Sequence, residues 1–200
     1  MCRPDRAELR TNPGSQAQDG HGPVTRFVGL LYSISLPDGK RVINAPWREL
    51  LEALGHSDVR TLLATGNVVF TAEGNDPQAI EKTVEPAFAK AFGRHIDFIV
   101  REGTRWERLV AANPFPEQSK TDGSRVAVRV MREPMAAEAQ SLIEDRASGA
   151  EIVRVIDGDP WIYFGDGFAT SKLAGVLTAG RTGIGTSRNW NTVKKIADAL

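Results

Sequence analysis

Seven consecutive residues, 186–192, bring together side chains that are suited to binding an anion. The stretch is Thr-Ser-Arg-Asn-Trp-Asn-Thr, in which Arg188 supplies a guanidinium, Asn189 and Asn191 supply carboxamides, and Trp190 supplies an indole. The pattern predicts that the last helix begins here, and free backbone amides at a helix start bind anions. The segment is therefore a candidate site for a phosphate-bearing ligand.

Basic residues upstream extend this candidate site. Between residues 166 and 200 there are five Lys or Arg residues and two Asp residues, so the local charge is positive. Lys172 and Arg181 join the site if the loop before residue 186 folds back. The candidate ligand-binding residues of this region are Lys172, Arg181, Arg188, Asn189, Trp190, Asn191 and Thr192.

A structural interpretation of the same segment stays open beside the functional one. In it, Asn189 caps the helix, Trp190 fills the core and Arg188 pairs with a carboxylate. A tight turn at Gly66 and Asn67 allows the same two interpretations. Either its amides face a ligand, or these two residues supply positive φ angles for a hairpin.

Groups that would support catalysis are sparse. Ser171 and Lys172 are adjacent, as in a nucleophile–base pair, but no third group or oxyanion hole accompanies them. The Gly-rich stretch 180–185 lacks the Gly-Lys-Ser/Thr ending of a phosphate-binding Walker loop. No His–Cys or His–carboxylate spacing suggests zinc, and Asp157 and Asp159 are explained as hairpin-turn residues. We therefore expect no metal and no cofactor, and the pattern favours binding over catalysis.

Composition limits the remaining classes of function. The chain has 200 residues, 41% of them hydrophobic, and its 25 basic residues equal its 25 acidic residues, so no overall field favours nucleic acid or an anionic membrane. The single Cys2 cannot form an internal disulfide, and a reducing, cytoplasmic setting fits best. No apolar run approaches the ~20 residues of a membrane-spanning helix, so no membrane association is expected.

Hydrophobic periodicity predicts an α+β fold. Residues 1–24 are polar and rich in Pro and Gly, and are predicted to form a disordered extension. From 25 to 103 the pattern predicts strand, helix, strand, strand, helix and strand, which is the split βαβ plan. A linker containing one helical turn is predicted over 104–123. The predicted elements of the first half are strands 26–32, 59–64, 67–71 and 95–101 and helices 46–55 and 77–93.

The second half, residues 124–200, is predicted to have a similar order of strands and helices. The two halves share no residue-level identity, so the repeat is one of topology. A hairpin turn is predicted at residues 157–159. The predicted elements are strands 125–131, 151–156, 160–165 and 186–188 and helices 134–147, 171–177 and 190–200.

Three stretches of the chain carry a family resemblance. Residues 54–70 contain Leu-Gly, Val-Arg-Thr and Thr-Gly-Asn-Val-Val-Phe, residues 171–173 are Ser-Lys-Leu, and residues 186–195 begin Thr-Ser-Arg-Asn-Trp-Asn-Thr-Val. They are similar to the Leu-Gly, Val-(Arg/Lys)-Thr and Ser-Gly-Asn-Val-Val-Phe block, the Ser-Lys-Leu step and the Thr-Thr-Arg-Asn-Trp-Asn-Thr-Val ending of a bacterial family, domain of unknown function 1697 (DUF1697). The resemblance covers about residues 26–200 and implies a ferredoxin-like α+β arrangement. The family has no assigned reaction, so no activity follows from the resemblance.

One turn departs from the family pattern. Where the family has Leu-Leu-Arg-Gly-Ile-Asn-Val-Gly-Gly, this chain has Tyr32 for the Arg, Ser33 for the first Gly, and Pro37 and Asp38 for the paired Gly. An Arg before a Gly-rich turn offers a guanidinium and accessible backbone N–H groups to an anion. Tyr32 has no charge, and Pro37 has no amide hydrogen. If the family's shared activity depends on the turn at 32–40, this member has lost that activity or changed its ligand.

Three functional hypotheses remain, in the following order. The first is a non-catalytic binding module for a phosphate-bearing small molecule or single-stranded nucleic acid. A sheet that binds nucleic acid needs exposed aromatic residues, for which Phe70 and Phe98 are the candidates. The second is an enzyme that acts on a small anionic substrate positioned by Arg188 and Lys172. The third is a protein-interaction module, and its candidate anchors are Trp47, Trp106 and Trp161.

Overall fold

The computed structural model of the chain describes residues 24–36 and 38–200. The predicted disordered extension, residues 1–24, lies outside this part of the chain except for Val24, and Pro37 lies outside it as well. The described residues form two four-stranded antiparallel sheets and seven α-helices, so the fold is mixed α and β. None of these helices is long and apolar enough to cross a lipid bilayer.

The elements of the first sheet follow one another along the chain as predicted. They are β1 (Val24–Leu31), α1 (Asn44–Ala53), β2 (Ser57–Leu62), β3 (Asn67–Glu73), α2 (Pro77–Phe92) and β4 (Phe98–Glu102). The strands lie side by side in the order β2-β3-β1-β4. Local signals set the bounds of α2: Asp76 caps it by accepting the Gln78 amide at 2.9 Å, and Gly93 ends it with a φ of 73°.

Helices α1 and α2 cover the outer face of this sheet. Trp47 of α1 is fully buried, and its ring meets those of Phe88 and Phe98 edge-on at centroid distances of 5.4 and 5.2 Å. Such edge-to-face contacts add to the energy of apolar burial. The outer core therefore fixes both helices to the sheet.

The connection between the sheets, residues 104–123, is helical over most of its length. It contains α3 (Gly103–Ala111) and α4 (Pro116–Asp122), where the sequence predicts a single helical turn. Trp106 of α3 is fully buried, and its indole nitrogen donates to the Val193 carbonyl at 3.3 Å. Tertiary packing of this kind, rather than helix propensity, stabilises short helices.

The second sheet is built from the second half of the chain. Its elements are β5 (Val126–Met131), α5 (Ala137–Arg146), β6 (Glu151–Ile156), β7 (Asp159–Phe164), α6 (Ala179–Thr182), β8 (Gly185–Asn189) and α7 (Trp190–Ala197). The strands lie side by side in the order β6-β7-β5-β8. The predicted hairpin turn between β6 and β7 is present, with positive φ angles of 50° at Asp157 and 82° at Gly158.

Two helix predictions in this half need correction. The helix predicted over 171–177 is wrong: 3-10 turns lie at Phe168–Thr170 and Leu173–Gly175, and the Ser171 hydroxyl accepts the Leu173 amide at 3.1 Å, which favours a turn over a helix. The helix predicted from residue 134 begins at residue 137. The Met135 amide donates to the Gly158 carbonyl at 3.0 Å, so this segment is held by the β6–β7 turn instead.

A shared apolar core joins the two sheets. Its members come from the inner face of each sheet and from α3 and α7. The contributing residues of the first sheet are Val28, Leu30, Val69 and Ile99, and those of the second are Val126, Val128, Val130 and Trp161. Burial of these side chains is the main attraction between the two halves.

Candidate functional site

Arg188 lies in β8 and points into the interface between the two sheets. Its side chain is buried, with 9% of the residue exposed, and its guanidinium donates only to protein oxygens. We call Arg188 and its acceptors the Arg188 network. The acceptors are Asn67 Oδ1 at 2.5 Å, Thr186 Oγ1 at 2.7 Å, Ser187 O at 2.9 Å, and Leu31 O and Thr65 O at 3.2 Å each.

No carboxylate among the described residues pairs with Arg188. The predicted structural pairing of Arg188 with a carboxylate is therefore wrong, because neutral carbonyl, amide and hydroxyl oxygens take that place. Burial lowers the pKa of Arg188 to about 10. The guanidinium has five N–H groups, and five hydrogen bonds leave it. A ligand role for Arg188 stays a prediction, and a ligand would have to displace one of these oxygens.

Gly66 and Asn67 belong to the same network. Gly66 has a φ of 72°, and a Cβ atom on it would lie 2.8 Å from the Cβ of Leu31, so no other residue fits there. Asn67 is fully buried in β3 and its amide nitrogen donates to two oxygens of the preceding turn. The prediction of a positive φ is confirmed for Gly66 and wrong for Asn67, since Leu63 supplies the second one, at 60°.

The start of α7 is organised as a capped helix. Asn189 accepts the Thr192 amide at 3.0 Å, which confirms the predicted cap. Trp190 is half-buried and tilted against Trp161 at a centroid distance of 6.1 Å, in the shared core. Asn191 is exposed. Ligand roles for these residues stay predictions.

Lys172 and Arg181 stay outside the Arg188 network. Both are exposed, and neither side chain makes a hydrogen bond or ion pair with another residue in the described part of the chain. The structure therefore brings together Arg188, Gly66 and Asn67 from the predicted set. It gives no contact between these three residues and the two basic ones.

A second buried arginine lies beside the divergent turn at residues 32–40. Arg129 of β5 is 4% exposed and donates to the Gly183 carbonyl at 3.2 Å. Burial lowers the pKa of Arg129, and the nearby Tyr32 side chain partly opposes this shift. Tyr32 thus lies near Arg129 at the position where the family pattern has an Arg.

A cavity that the sequence did not predict lies between α3 and the β6–β7 hairpin. Its volume is about 240 Å³, and it combines basic, acidic and apolar side chains. We call it the arginine cavity. Its lining residues are Arg101, Arg105, Trp106, Arg108, Leu109, Ala112, Ile156, Asp157, Asp159 and Trp161.

Arg101 and Asp159 form an incomplete buried pair in this cavity. Arg101 Nη2 lies 3.9 Å from Asp159 Oδ1, an oxygen that already accepts the Met131 amide at 2.8 Å. The Nε atom of Arg101 has no hydrogen-bond partner among the described residues. Burial lowers the pKa of Arg101 and raises the pKa of Asp159, and attraction between the two opposes both shifts. Arg101 is thus a buried cation with unused donor capacity.

Arg101, Arg105 and Arg108 also line an adjoining cavity of about 440 Å³ on the side of α2. Arg132 crosses from the end of β5 to this side, where it pairs with Glu81 at 3.4 Å and with Glu85. The adjoining cavity carries several carboxylates as well as arginines. Its charged lining residues are Asp76, Glu81, Arg101, Glu102, Arg105, Arg108, Arg132 and Glu133.

None of the arginine-cavity residues is among the ligand candidates predicted from sequence. The available signal was the spacing of Arg101, Arg105 and Arg108, which places them on one side of a strand end and the helix that follows. The opposite wall belongs to a hairpin more than 45 residues later in the chain. Asp159, assigned to a turn from sequence, begins β7 and is buried.

Glu85, His95 and Asp97 also lie close together, although no sequence spacing suggested it. One ligand atom from each lies within 4.8 Å of the others. The guanidinium of Arg132 pairs with Glu85 and lies 3.3 Å from Asp97. Because Arg132 already pairs with both carboxylates, the cluster is better explained as an ion-pair network that covers the edge of β4.

Comparison with known proteins identifies the family. Residues 24–161 match the family described as "Protein of unknown function (DUF1697)". The chain belongs to DUF1697. It is also similar to the solved structure of a conserved bacterial protein from Streptococcus pneumoniae, with a TM-score of 0.70 and 22% identity over 88% of this chain and 99% of that one, a likeness that concerns the fold. Comparison with curated proteins found no match.

The DUF1697 match includes the block at 54–70 and ends before the stretches at 171–173 and 186–195. The structure nevertheless connects the first and last of these stretches. Asn67 lies in the first, Arg188 lies in the last, and the two side chains are hydrogen-bonded. Two of the motifs that resemble the family thus meet at the sheet interface.

Proposed function

We propose that this DUF1697 protein is a non-catalytic binding module for a small phosphate-bearing ligand, held in the arginine cavity. The observation that carries the proposal is Arg101, a buried guanidinium whose Nε has no hydrogen-bond partner among the described residues. A buried cation without a full set of partners costs free energy, and an anion in the cavity would lower that cost by its attraction to the guanidinium. Arg105 and Arg108, both exposed, line the same cavity and add two further guanidiniums.

The rest of the lining supports a ligand with an organic part. The lining also contains Leu109 and Ile156, both half-buried, which are apolar, and the buried residues Trp106 and Trp161. Known small-molecule sites combine apolar lining residues with a few convergent polar groups. Arginine also recognises phosphate through paired, charge-assisted hydrogen bonds.

Two other hypotheses find less support in the geometry. Phe70 and Phe98, the candidates for stacking on bases, are buried under α1 and α2, so they offer no exposed surface to nucleic acid. The indoles proposed as protein-interaction anchors are likewise buried. They are Trp47, Trp106 and Trp161.

The enzyme hypothesis has one observation in its favour. Burial raises the pKa of Asp159, and a carboxyl group with a raised pKa in a cavity is a candidate general acid. Its Oδ1 atom, however, already accepts the backbone amide of Met131, which favours a structural role.

The test is a titration of the protein with phenyl phosphate, in which binding is measured by calorimetry and by tryptophan fluorescence. We expect binding that weakens as salt is raised, and a loss of about tenfold or more in affinity in the variant Arg105→Ala/Arg108→Ala. Arg48→Ala is the matched control, because Arg48 is an exposed helical arginine on α1. Absence of binding, or an equal loss in the control, would refute the proposal. Release of phenol during the titration would support an enzyme instead.

The proposal also includes the arrangement of strands and helices within each half of the chain. We infer that each half is a ferredoxin-like unit, since the orders β2-β3-β1-β4 and β6-β7-β5-β8 correspond position by position. Two predictions from the sequence remain predictions. One is the division of the chain into a first half (25–103), a linker (104–123) and a second half (124–200), and the other is a cytoplasmic setting. An experimental structure of the full chain checks the first of these, and fractionation of cells that express it checks the last.

A further inference from the structure

We infer that the ligand of the arginine cavity is an aminoalkyl phosphate, a compact molecule with a phosphate monoester at one end and an ammonium group at the other. The inference rests on the proposed function and names the ligand class for the same cavity. The structural basis is the mixed charge of the lining. Arg101 of β4 and Arg105 and Arg108 of α3 supply the positive groups, and the β6–β7 hairpin supplies two carboxylates, Asp157 and Asp159.

The two carboxylates of the hairpin repel each other, and a simple anion would not relieve this repulsion. Asp157 is exposed, and its side chain makes no hydrogen bond or ion pair with any residue that the structure describes. Burial is the main cause that raises the pKa of Asp159, and the negative charge of Asp157 adds to it. An ammonium group beside the hairpin would lower the repulsion, whereas a second anionic group would increase it.

The charge of the surroundings also favours a ligand with a positive group. The linings of the arginine cavity and the adjoining cavity contain, between them, four arginines and six carboxylates. A ligand that carried only negative charge would be attracted by the arginines and repelled by a larger number of carboxylates. An ammonium group on the ligand turns part of that repulsion into attraction, and the phosphate keeps its attraction to the arginines.

The hairpin holds its carboxylates in a fixed position. The Met131 amide donates to Asp159 Oδ1 at 2.8 Å, and the Met135 amide donates to the Gly158 carbonyl at 3.0 Å. The acidic side of the cavity is therefore ordered before a ligand binds, which reduces the entropy that binding costs.

The size and the apolar part of the cavity suit a short alkyl chain. The volume of about 240 Å³ is below the usual range for drug-sized ligands, which begins near ~300 Å³. Because the indoles of the lining are buried, the apolar residues that remain accessible are aliphatic: Leu109, Ala112 and Ile156, all half-buried. These residues can cover a few methylene groups between the phosphate and the ammonium group.

The experiment compares phosphoethanolamine with ethyl phosphate, which lacks only the amino group, by calorimetry on the full chain. We expect phosphoethanolamine to bind about fivefold more tightly, the effect of one ion pair at a partly exposed site. In the variant Asp157→Asn this ratio should fall towards one, because phosphoethanolamine loses an attraction and ethyl phosphate loses a repulsion. Asparagine tolerates the φ of 50° at this position, so the turn is retained. Asp145→Asn, at an exposed position on α5 outside the cavity lining, is the matched control and should leave the ratio unchanged.

The outcomes separate the two proposals. If phenyl phosphate and ethyl phosphate bind and phosphoethanolamine binds no more tightly, the aminoalkyl phosphate inference is wrong and the proposed function stands. If no probe binds, both are wrong. A ratio that is unchanged in Asp157→Asn would also overturn the inference, because the hairpin would then not recognise the amino group. Vesicles of phosphatidylethanolamine, compared with vesicles of phosphatidylcholine, identify the source of the group: preferential binding points to a lipid head group, and its absence points to a free small molecule.

Discussion

Replacing Arg188 by Lys should weaken the attachment of the two sheets while preserving the charge. The guanidinium reaches acceptors on β1, on the β2–β3 turn, on β3 and on its own strand. A lysine ammonium donates from one nitrogen only and cannot reproduce this planar fork. The variant therefore keeps a buried cation and loses most of its partners.

The size of the effect follows from the acceptors that are left. Asn67 Oδ1 and Leu31 O are buried, and each would lose its guanidinium donor, although Leu31 O keeps a long bond of 3.5 Å from the Thr186 hydroxyl. A buried acceptor without a donor costs about 1–3 kcal/mol, so losing one donor fully and the other in large part predicts a loss of about 2–5 kcal/mol in the free energy of unfolding. Thr65 is exposed, and water can replace the arginine at its carbonyl. Arg188→Met should cost less than Arg188→Lys, because it also removes the buried charge.

Urea unfolding followed by circular dichroism measures these losses, with the transition midpoint as the observable. Arg48→Lys, at an exposed position on α1, is the control and should change the unfolding free energy by less than about 0.5 kcal/mol. If Arg188→Lys is as mild as the control, the Arg188 network does not hold the sheets together. If Arg188→Met proves more costly than Arg188→Lys, the reasoning about the buried charge is incorrect.

Three further substitutions test other parts of the structure. Tyr32→Arg places a second guanidinium beside buried Arg129, so the unfolding temperature should fall in chloride buffer. It should recover in phosphate buffer, because an anion that binds between the two arginines stabilises the native state. An equal fall in both buffers would contradict this anion effect. Gly66→Ala should lower the free energy of unfolding in urea by about 3 kcal/mol or more, and Gly74→Ala by about 1 kcal/mol. Both glycines have a positive φ, but only Gly66 lacks room for a Cβ atom. Similar losses in the two variants would contradict this explanation. Burial raises the pKa of Asp159, so its contribution to stability is present below its ordinary pKa and is lost as the pH rises through the raised value. The unfolding free energy of the natural chain minus that of Asp159→Asn should therefore grow from about pH 7 to about pH 4, and a constant difference would show that the carboxyl is not perturbed.

The elements with local start and stop signals were predictable from the sequence. Asp76 and Gly93 mark the ends of α2 through contacts with residues only a few positions away. The prediction failed where a residue far away in the sequence determines the start of an element. The helix expected from residue 134 starts later because the amide of Met135 donates to the carbonyl of Gly158, and no local pattern records that hydrogen bond.

The candidate sites show the same dependence on distance along the chain. The segment at 186–192 was recognised from its residue types, but the partner of Arg188 is Asn67, 121 residues earlier. Only the packing of the two sheets brings these side chains together. The arginine cavity was missed for a related reason, since Arg101 gains its surroundings from the β6–β7 hairpin rather than from its neighbours in sequence.

The shared core between the sheets also has a consequence for synthesis on the ribosome. The first sheet is complete in sequence at Glu102, whereas the residues that cover its inner face extend from Trp106 to Ile196. Until nearly the whole chain has emerged, the nascent first half exposes an apolar surface that the finished protein buries. Incomplete chains that end between these points are therefore the species most exposed to aggregation and to capture by chaperones.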